Sequence, residues 1–362
     1  MKTVETTEKK AILDGLMNLF AQNRRWLLFF GTGTSCELDK RFGMEALKEH
    51  LGQELAAEPE WARVDAGLKA GKSLEQALDG TGAGLSQATK ARFRKVTGNF
   101  IAGIDRLSRD PLLMDQTSWV GTRLLKALVG RLPPRNPRLS VITPNYDMLI
   151  EYACSAQGIR LTTGFVGGLM RMWDWDAAQD SLLQSHAAGG NPWPRVELFK
   201  VHGSINRFII DGRPVECDLW SEGVPAGVER DLAVPGDLKY EQYAVSNMDT
   251  VSRAVRVQDE AQAFVMVGYG FRDRHLHERI ATRVRRQNCP LVVLTQDLDD
   301  VVIADLRKDG APVWVLVCPK LSAGGYDLAR TLVYRPGMMS PLTLGDVNLW
   351  NCDTFAERIL GG

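Results

Sequence analysis

No C-x-x-C pair occurs among the six cysteines of this chain: Cys36, Cys154, Cys217, Cys289, Cys318 and Cys352 stand singly. That spacing does not suit a zinc module or a disulfide framework, so free thiols, no bound metal and a cytoplasmic setting are expected. Charge of one sign is lacking too, since 44 basic residues balance 44 acidic ones. The whole-chain field therefore does nothing to draw a nucleic-acid backbone or an anionic membrane, and such a partner requires a local patch. No apolar run approaches the ~20 residues of a membrane-spanning helix. The first 26 residues lack the basic flank, apolar stretch and small-residue cleavage site of a signal peptide, so none is expected. Internal repeats and long low-complexity tracts are also missing. What remains is ordinary globular composition, 44% apolar and 24% charged over 362 residues. That length suits one large domain with an insertion or two modest domains.

Apolar Ile12, Leu13, Leu16, Met17, Leu19 and Phe20 recur at helical spacing between Thr6 and Arg25, predicting an amphipathic helix. Trp26 to Phe30 then reads as a buried strand. Comparable runs at Leu139 to Thr143, Val196 to Val201, Ala263 to Val267, Leu291 to Thr295 and Val313 to Val317 end in turn or polar residues. Their nearly continuous apolar character, without alternation, indicates burial on both faces and hence parallel strands. Helical patterns at Tyr146 to Gln157 and His275 to Gln287 lie between them. The fold class expected is α/β, a Rossmann-like doubly wound parallel sheet with a helical insertion forming a smaller second domain. The boundaries expected are an N-terminal helix over 1–25, the sheet domain over 26–43 and 131–335, the helical insertion over 44–130 and a tail over 336–362. The insertion is read from helical composition broken at Glu58-Pro59, Gly71 and Gly80 to Gly84. A long excursion from Gly164 to Pro194 carries Trp173, Trp175 and Trp193, which either line a cleft or cover the sheet. Ala244 to Glu260 reads as helix. The tail has strand or loop character, ends in a short helix over Thr354 to Leu360, and is a candidate for docking a partner.

Chemistry gathers where the strands end. Gly31-Thr32-Gly33-Thr34-Ser35 follows the first strand, and glycines there permit a tight turn or a close backbone approach to a pyrophosphate. Taken alone, this motif is better explained as a plain turn, because the third glycine of G-x-G-x-x-G is absent. Thr143-Pro-Asn145-Tyr-Asp147 follows the second: Pro144 keeps Thr143 out of the helical region, so Asn145 stands in a defined turn. Its amide suits orienting water or a hydroxyl, while Asp147 serves either a ligand or the start of the next helix. Leu198-Phe-Lys200-Val-His202-Gly-Ser204 places an imidazole, a base near neutrality, at a third strand end. Gly268-Tyr-Gly270-Phe-Arg272-Asp273 ends a fourth strand, with Arg272 and Asp273 suited either to phosphate or ribose or to a salt bridge. Leu294-Thr-Gln296 ends a fifth. Open α/β sheets bind ligands at this carboxyl edge. His275 and His277, two apart on a helix, face different directions and are assigned to the surface or to packing.

Together these motifs resemble the sirtuin-like superfamily, in particular the zinc-free branch found in bacterial anti-phage defence. The resemblance covers most of the chain. It implies that Asn145 orients water and the nicotinamide ribose, that His202 is the general base, and that Asp147 contacts the nicotinamide carboxamide. It further implies that Gly31, Thr32, Gly33 and Ser35 form the phosphate-binding turn and that Gly268 and Gly270 lie along the adenosine side of the pocket, where Arg272 is expected to bind the cofactor too. Protein-deacylating sirtuins carry a four-cysteine zinc module, for which this chain lacks the cysteine pairs. Their Gly-Ile-Pro-Asp-Phe-Arg stretch has as its nearest counterpart here Gly43-Met-Glu-Ala-Leu47.

The function implied is NAD hydrolysis to nicotinamide and ADP-ribose, as the effector of a defence system that depletes NAD. A homo-oligomer and a separate sensor chain are implied as well, with a DNA-translocating hexameric ATPase as one family precedent. A non-hydrolysing NAD or ADP-ribose binding module is the alternative, followed by an NAD-dependent protein deacylase.

Overall fold

The computed structural model describes residues 6–361 apart from 23, 79–84, 184–191, 222 and 234–247. The break expected at Gly80 to Gly84, part of the Gly164 to Pro194 excursion and the start of the helix expected from Ala244 lie outside the described residues. The strands are β1 (Trp26–Phe30), β2 (Arg138–Thr143), β3 (Arg160–Thr162), β4 (Phe165–Gly167), β5 (Arg171–Trp173), β6 (Arg195–Lys200) and β7 (Gly203–Ile210). After them come β8 (Arg213–Glu216), β9 (Glu229–Leu232), β10 (Ala263–Val267), β11 (Leu291–Thr295), β12 (Val313–Val317), β13 (Thr331–Tyr334) and β14 (Leu342–Leu344).

Nine of these form one sheet in the order β14-β13-β12-β11-β10-β1-β2-β6-β3. From β12 to β3 every neighbouring pair is parallel, and β13 and β14 add an antiparallel edge. The apolar runs divide by alternation between two cores. Leu28, Phe30, Val141, Leu198, Val265 and Leu294 face one layer, and Leu27, Phe29, Ile142, Phe199, Phe264 and Val293 face the other. Both faces are covered, which is why the strands read as unbroken hydrophobic segments. Each such Leu, Val or Phe contributes roughly 1.5–3 kcal/mol by leaving water.

The chain runs from β1 to β2 on one side and returns through β10 on the other, so the connections diverge at the β1/β10 boundary. Register aligns the carboxyl ends there: Phe30 pairs with Val267, Val267 with Leu294, and Thr143 with Lys200. Gly31, Asn145, His202 and Gly268 consequently emerge along one edge, at a topological switch point.

Between β1 and β2 the chain forms helices at Thr32–Leu38, Met44–Glu54, Trp61–Lys69, Leu74–Leu78, Gln87–Leu113 and Thr122–Val129. Leu47, Leu51, Trp61, Val64, Leu78 and Phe93 make a separate cluster, while Ile101, Ile104 and Leu112 of the 27-residue helix join the sheet's core. That one helix ties the two together.

Two features depart from the sequence reading. The helix expected from Tyr146 begins at Leu149, leaving Tyr146 to Met148 as a turn. A second sheet, β4-β5-β8-β7-β9, is antiparallel, and its strand β7 follows His202 directly. Its β7–β8 hairpin turns at Asp211 and Gly212, both with positive φ of 49° and 72°, as a two-residue I′ turn requires. The tail packs on the body of its own chain: Leu344, Leu349 and Phe355 are fully buried, and the last helix packs near Phe20 of the first. The tryptophans also resolve. Trp175 stacks on Phe199 at 5.2 Å and covers the sheet. Among the described residues no helix is long and apolar enough to cross a membrane.

Candidate active site

The turn after β1 is locked to the turn after β10. Gly31 N–H donates to Val267 O at 2.8 Å and Gly33 N–H to Gly268 O at 2.9 Å. A Cβ on Gly31 would lie 2.5 Å from Gly268 O, and one on Gly268, whose φ is +59°, 2.7 Å from Thr34 N. Backbone against backbone thus explains three of the glycines, and the Gly31 and Gly33 amides are already engaged. Gly270 differs, because a Cβ there meets nothing within 4 Å. Trp119, packed on Phe30, supports the turn from behind by donating from Nε1 to Thr34 O at 3.0 Å.

Asn145 is fixed through its carboxamide. Nδ2 donates to Gly31 O at 3.1 Å and to Ser35 Oγ at 2.9 Å, so both N–H groups are used. Oδ1 receives only a long contact of 3.4 Å from Thr32 Oγ1 and keeps capacity to accept from a ligand or water. Ser35 Oγ in turn donates to Asp147 Oδ2 at 2.7 Å, and Leu149 N–H approaches Asp147 Oδ1 at 3.3 Å. Asp147 therefore serves the start of the next helix as well as the cleft. Burial pushes its pKa upward, opposed by the nearby Lys200 ammonium.

Lys200, 1% exposed at the end of β6, holds this turn from below. Its ammonium donates to the carbonyls of Asp147 and Tyr146 and pairs with Glu151 at 2.9 Å. The sequence contained this lysine inside an apolar strand without showing its partners. A buried ammonium is tolerated when oxygens surround it, and that is the arrangement here. Asp105, on the 27-residue helix, reaches the same turn: Oδ1 accepts from Met148 N–H at 2.8 Å and Oδ2 from Tyr152 Oη at 2.5 Å. Burial raises its pKa to about 7.

His202 follows in the turn between β6 and β7. Its carbonyl accepts from Ala233 N–H at 2.9 Å. Its Nε2 lies 3.3 Å from Asp273 Oδ2, and both side chains are largely buried. The sequence leaves Asp273 open between phosphate, ribose and a salt bridge, and the geometry gives it an imidazole.

These elements line a cleft of about 630 Å³ along the sheet's carboxyl edge. Thr32, Gly33, Asn145, Asp147, His202, Gly268, Gly270 and Arg272 all line it, whereas Gly31 and Ser35 stand behind, held in the network just described. Met44, Glu45, Leu47, Ser73, Leu74 and Ile101 close the other side from the helical segment. A smaller cavity of about 140 Å³ lies at the amino end of the sheet, bordered by Arg24, Arg25, Arg131 and Arg138, away from all the motifs. His277 packs: Nδ1 lies 2.7 Å from Asp273 O. Among the described residues no three His, Cys, Asp or Glu side chains gather as a metal site, and all six cysteines are free.

Residues 139–305 match the model of the SIR2-like domain family. No curated protein sequence matches the chain. Among solved structures, a Sir2 mutant with a p53 peptide and NAD aligns over 99% of this chain and 98% of its own at 11% identity, with a TM-score of 0.42. Sir2Tm bound to a propionylated peptide covers 84% and 90% at 13% identity, TM-score 0.40, and a Sir2 homolog–NAD complex covers 83% and 87% at 13% identity, TM-score 0.38. At that distance neither the ligands nor the reactions of those proteins transfer to this chain.

Proposed function

We propose that this chain hydrolyses the nicotinamide–ribose bond of NAD. The observation that carries the reading is the convergence of Asn145, Asp147 and His202, from two strand ends, on one cleft that Gly268, Gly270 and Arg272 border from a third. Its volume of about 630 Å³ falls within the ~300–1,000 Å³ typical of small-molecule sites. The SIR2-like match over residues 139–305 includes all of these motifs except the turn after β1.

In the reaction the C–N bond between nicotinamide and C1′ of the ribose breaks, and its electron pair leaves with nicotinamide. Water oxygen bonds to C1′, and the water proton passes to His202 and then to solvent, leaving nicotinamide, ADP-ribose and one proton. Asn145, with both N–H groups committed, presents Oδ1 to the water or a ribose hydroxyl. We assign Asp147 to the nicotinamide carboxamide and Arg272, exposed on the cleft wall, to the phosphates; both residues line the cleft. A positioned base is typically worth ~10²- to 10⁴-fold in rate.

The wider role follows from the motif resemblance alone: an anti-phage effector that depletes NAD, as a homo-oligomer released by a sensor chain such as a DNA-translocating hexameric ATPase. On this reading the helical segment covers one side of the cleft through Met44, Glu45, Leu47, Ser73 and Leu74.

The test is chromatographic release of nicotinamide and ADP-ribose from NAD by wild type, Asn145→Ala and His202→Ala, alone and with candidate partner chains. Turnover by wild type and loss in both variants is expected. Full activity in the variants would refute the residue roles, and NAD binding without turnover under every condition would replace the hydrolase with a binding module.

A further inference from the structure

We propose that Asp273 is a positioning residue for His202, its carboxylate holding the imidazole in one orientation and stabilising the imidazolium formed when the ring takes a proton. The proposal rests on the reading of the cleft as an NAD-hydrolysing site and adds a residue to it.

Both partners are set by backbone, and neither owes its place to the pairing. On one side, Asp273 O accepts from Tyr269 Oη at 2.8 Å and lies 2.7 Å from His277 Nδ1, so the residue is tied to the start of its helix. Phe271, two residues earlier, has φ of 55°, a left-handed conformation that a side-chain-bearing residue holds only when its surroundings fix it. Its ring is buried against Tyr269 and His277. On the other side, Gly203 has φ of +83°, and a Cβ there would stand 1.9 Å from Asp231 O. The close pairing of β7 on β9 therefore dictates where His202 sits. With the two backbones so constrained, Nε2 and Oδ2 meet at 3.3 Å, both side chains nearly buried and both on the cleft wall.

A carboxylate at this distance from an imidazole does two things. It attracts the Nε2 side of the ring by charge, which favours one orientation, and it offsets the positive charge once the ring is cationic. The other ionisable groups around the ring are Tyr146 and Asp147 on the turn after β2, Lys200 on β6, Asp231 on β9, Arg272 on the loop and His277 on its helix. Lys200 is engaged with Glu151 and two carbonyls, and Asp147 with Ser35. Asp273 is the carboxylate at contact distance.

The experiment compares wild type with Asp273→Asn, which keeps size and shape and removes the charge. For NAD turnover, kcat should fall at least tenfold while KM changes less than about threefold. The acid limb of kcat/KM should move about one pH unit lower, because the imidazolium loses its partner. Asp273→Glu should recover part of the loss. A parallel NMR titration of the His202 ring, without NAD, should show the same downward movement. Unchanged kcat and an unchanged pH profile in Asp273→Asn would overturn the proposal. If wild type turns over no NAD under any condition, the hydrolase reading fails separately, and the NMR titration alone decides the pairing: a shifted ring supports it and an unmoved ring refutes it.

Discussion

Replacing Asp105 with asparagine should remove a pH dependence of stability whose size follows from burial. The carboxyl is 2% exposed, and its pKa rises from the ordinary 3.8 to about 7. Burial is the main cause, only partly opposed by the bonds from Met148 N–H and Tyr152 Oη. Between pH ~4 and ~7 the folded chain keeps a proton that the unfolded chain has released, so the folded state loses stability as pH rises through that window. At about 1.4 kcal/mol per pH unit for one proton, the full loss is about 4 kcal/mol, and the part between pH 5 and pH 7, where the folded group is half ionised at the upper end, is about 2.3 kcal/mol. The carboxamide of the variant does not titrate, and its oxygen still accepts from Met148 N–H. Urea denaturation of wild type and Asp105→Asn at pH 5, 6, 7 and 8 isolates this group, since the other titrations cancel in the difference. The variant should gain on wild type by roughly 2–3 kcal/mol from pH 5 to pH 7 and then stay level. Parallel stability curves across that range would show that Asp105 is ionised in the folded protein, refuting the reasoning.

Lys200→Met strands the Glu151 carboxylate in the interior along with two carbonyls, and a loss of about 3–5 kcal/mol in denaturation is expected. The double variant Lys200→Met with Glu151→Leu should recover part of it, and a double loss equal to the sum of the singles would contradict the pairing. Gly268→Ala forces a Cβ to 2.7 Å from Thr34 N at positive φ, whereas Gly270→Ala meets open space. Thermal melting should therefore drop by several degrees for the first and stay near wild type for the second. Trp175→Ala should lower stability through its lost stacking on Phe199 without changing NAD affinity in titration calorimetry, since Trp175 lies on the sheet face outside the cleft.

The parallel strands could be read closely from sequence because burial on both faces leaves an unbroken apolar signal: β1, β10, β11 and β12 have the boundaries expected. The antiparallel sheet could not be read that way. Within β7, Ser204, Asn206 and Arg207 are buried, with Arg207 paired to Glu216 of β8 and set over the Phe165 ring, so polar residues sit where alternation would place apolar ones. The Asp211-Gly212 turn signal was present, and it names a hairpin without naming its sheet. At the site, Asn145 and His202 were legible as polar residues at strand ends. The work of Lys200, Asp105 and Asp273 was not, because each acts on residues distant in sequence and its meaning lies in that meeting. The glycines were legible as a turn, but not as an interlock between two turns.

The packing of the last helix on the first has a consequence for how the chain is made. Ile12, Leu16 and Phe20 bury their apolar faces in the same layer as Phe355, Ile359 and Leu360, and Arg131 closes on the carbonyl of Leu360. During synthesis the opening helix leaves the ribosome with part of that surface uncovered, and it stays so until the closing helix emerges. The layer behind β1 therefore seals only after translation of the segment that covers it. Ribosome-bound chains halted before Cys352 should present this surface to chaperones and proteases, and chains in which the helix over Cys352 to Leu360 has emerged should not.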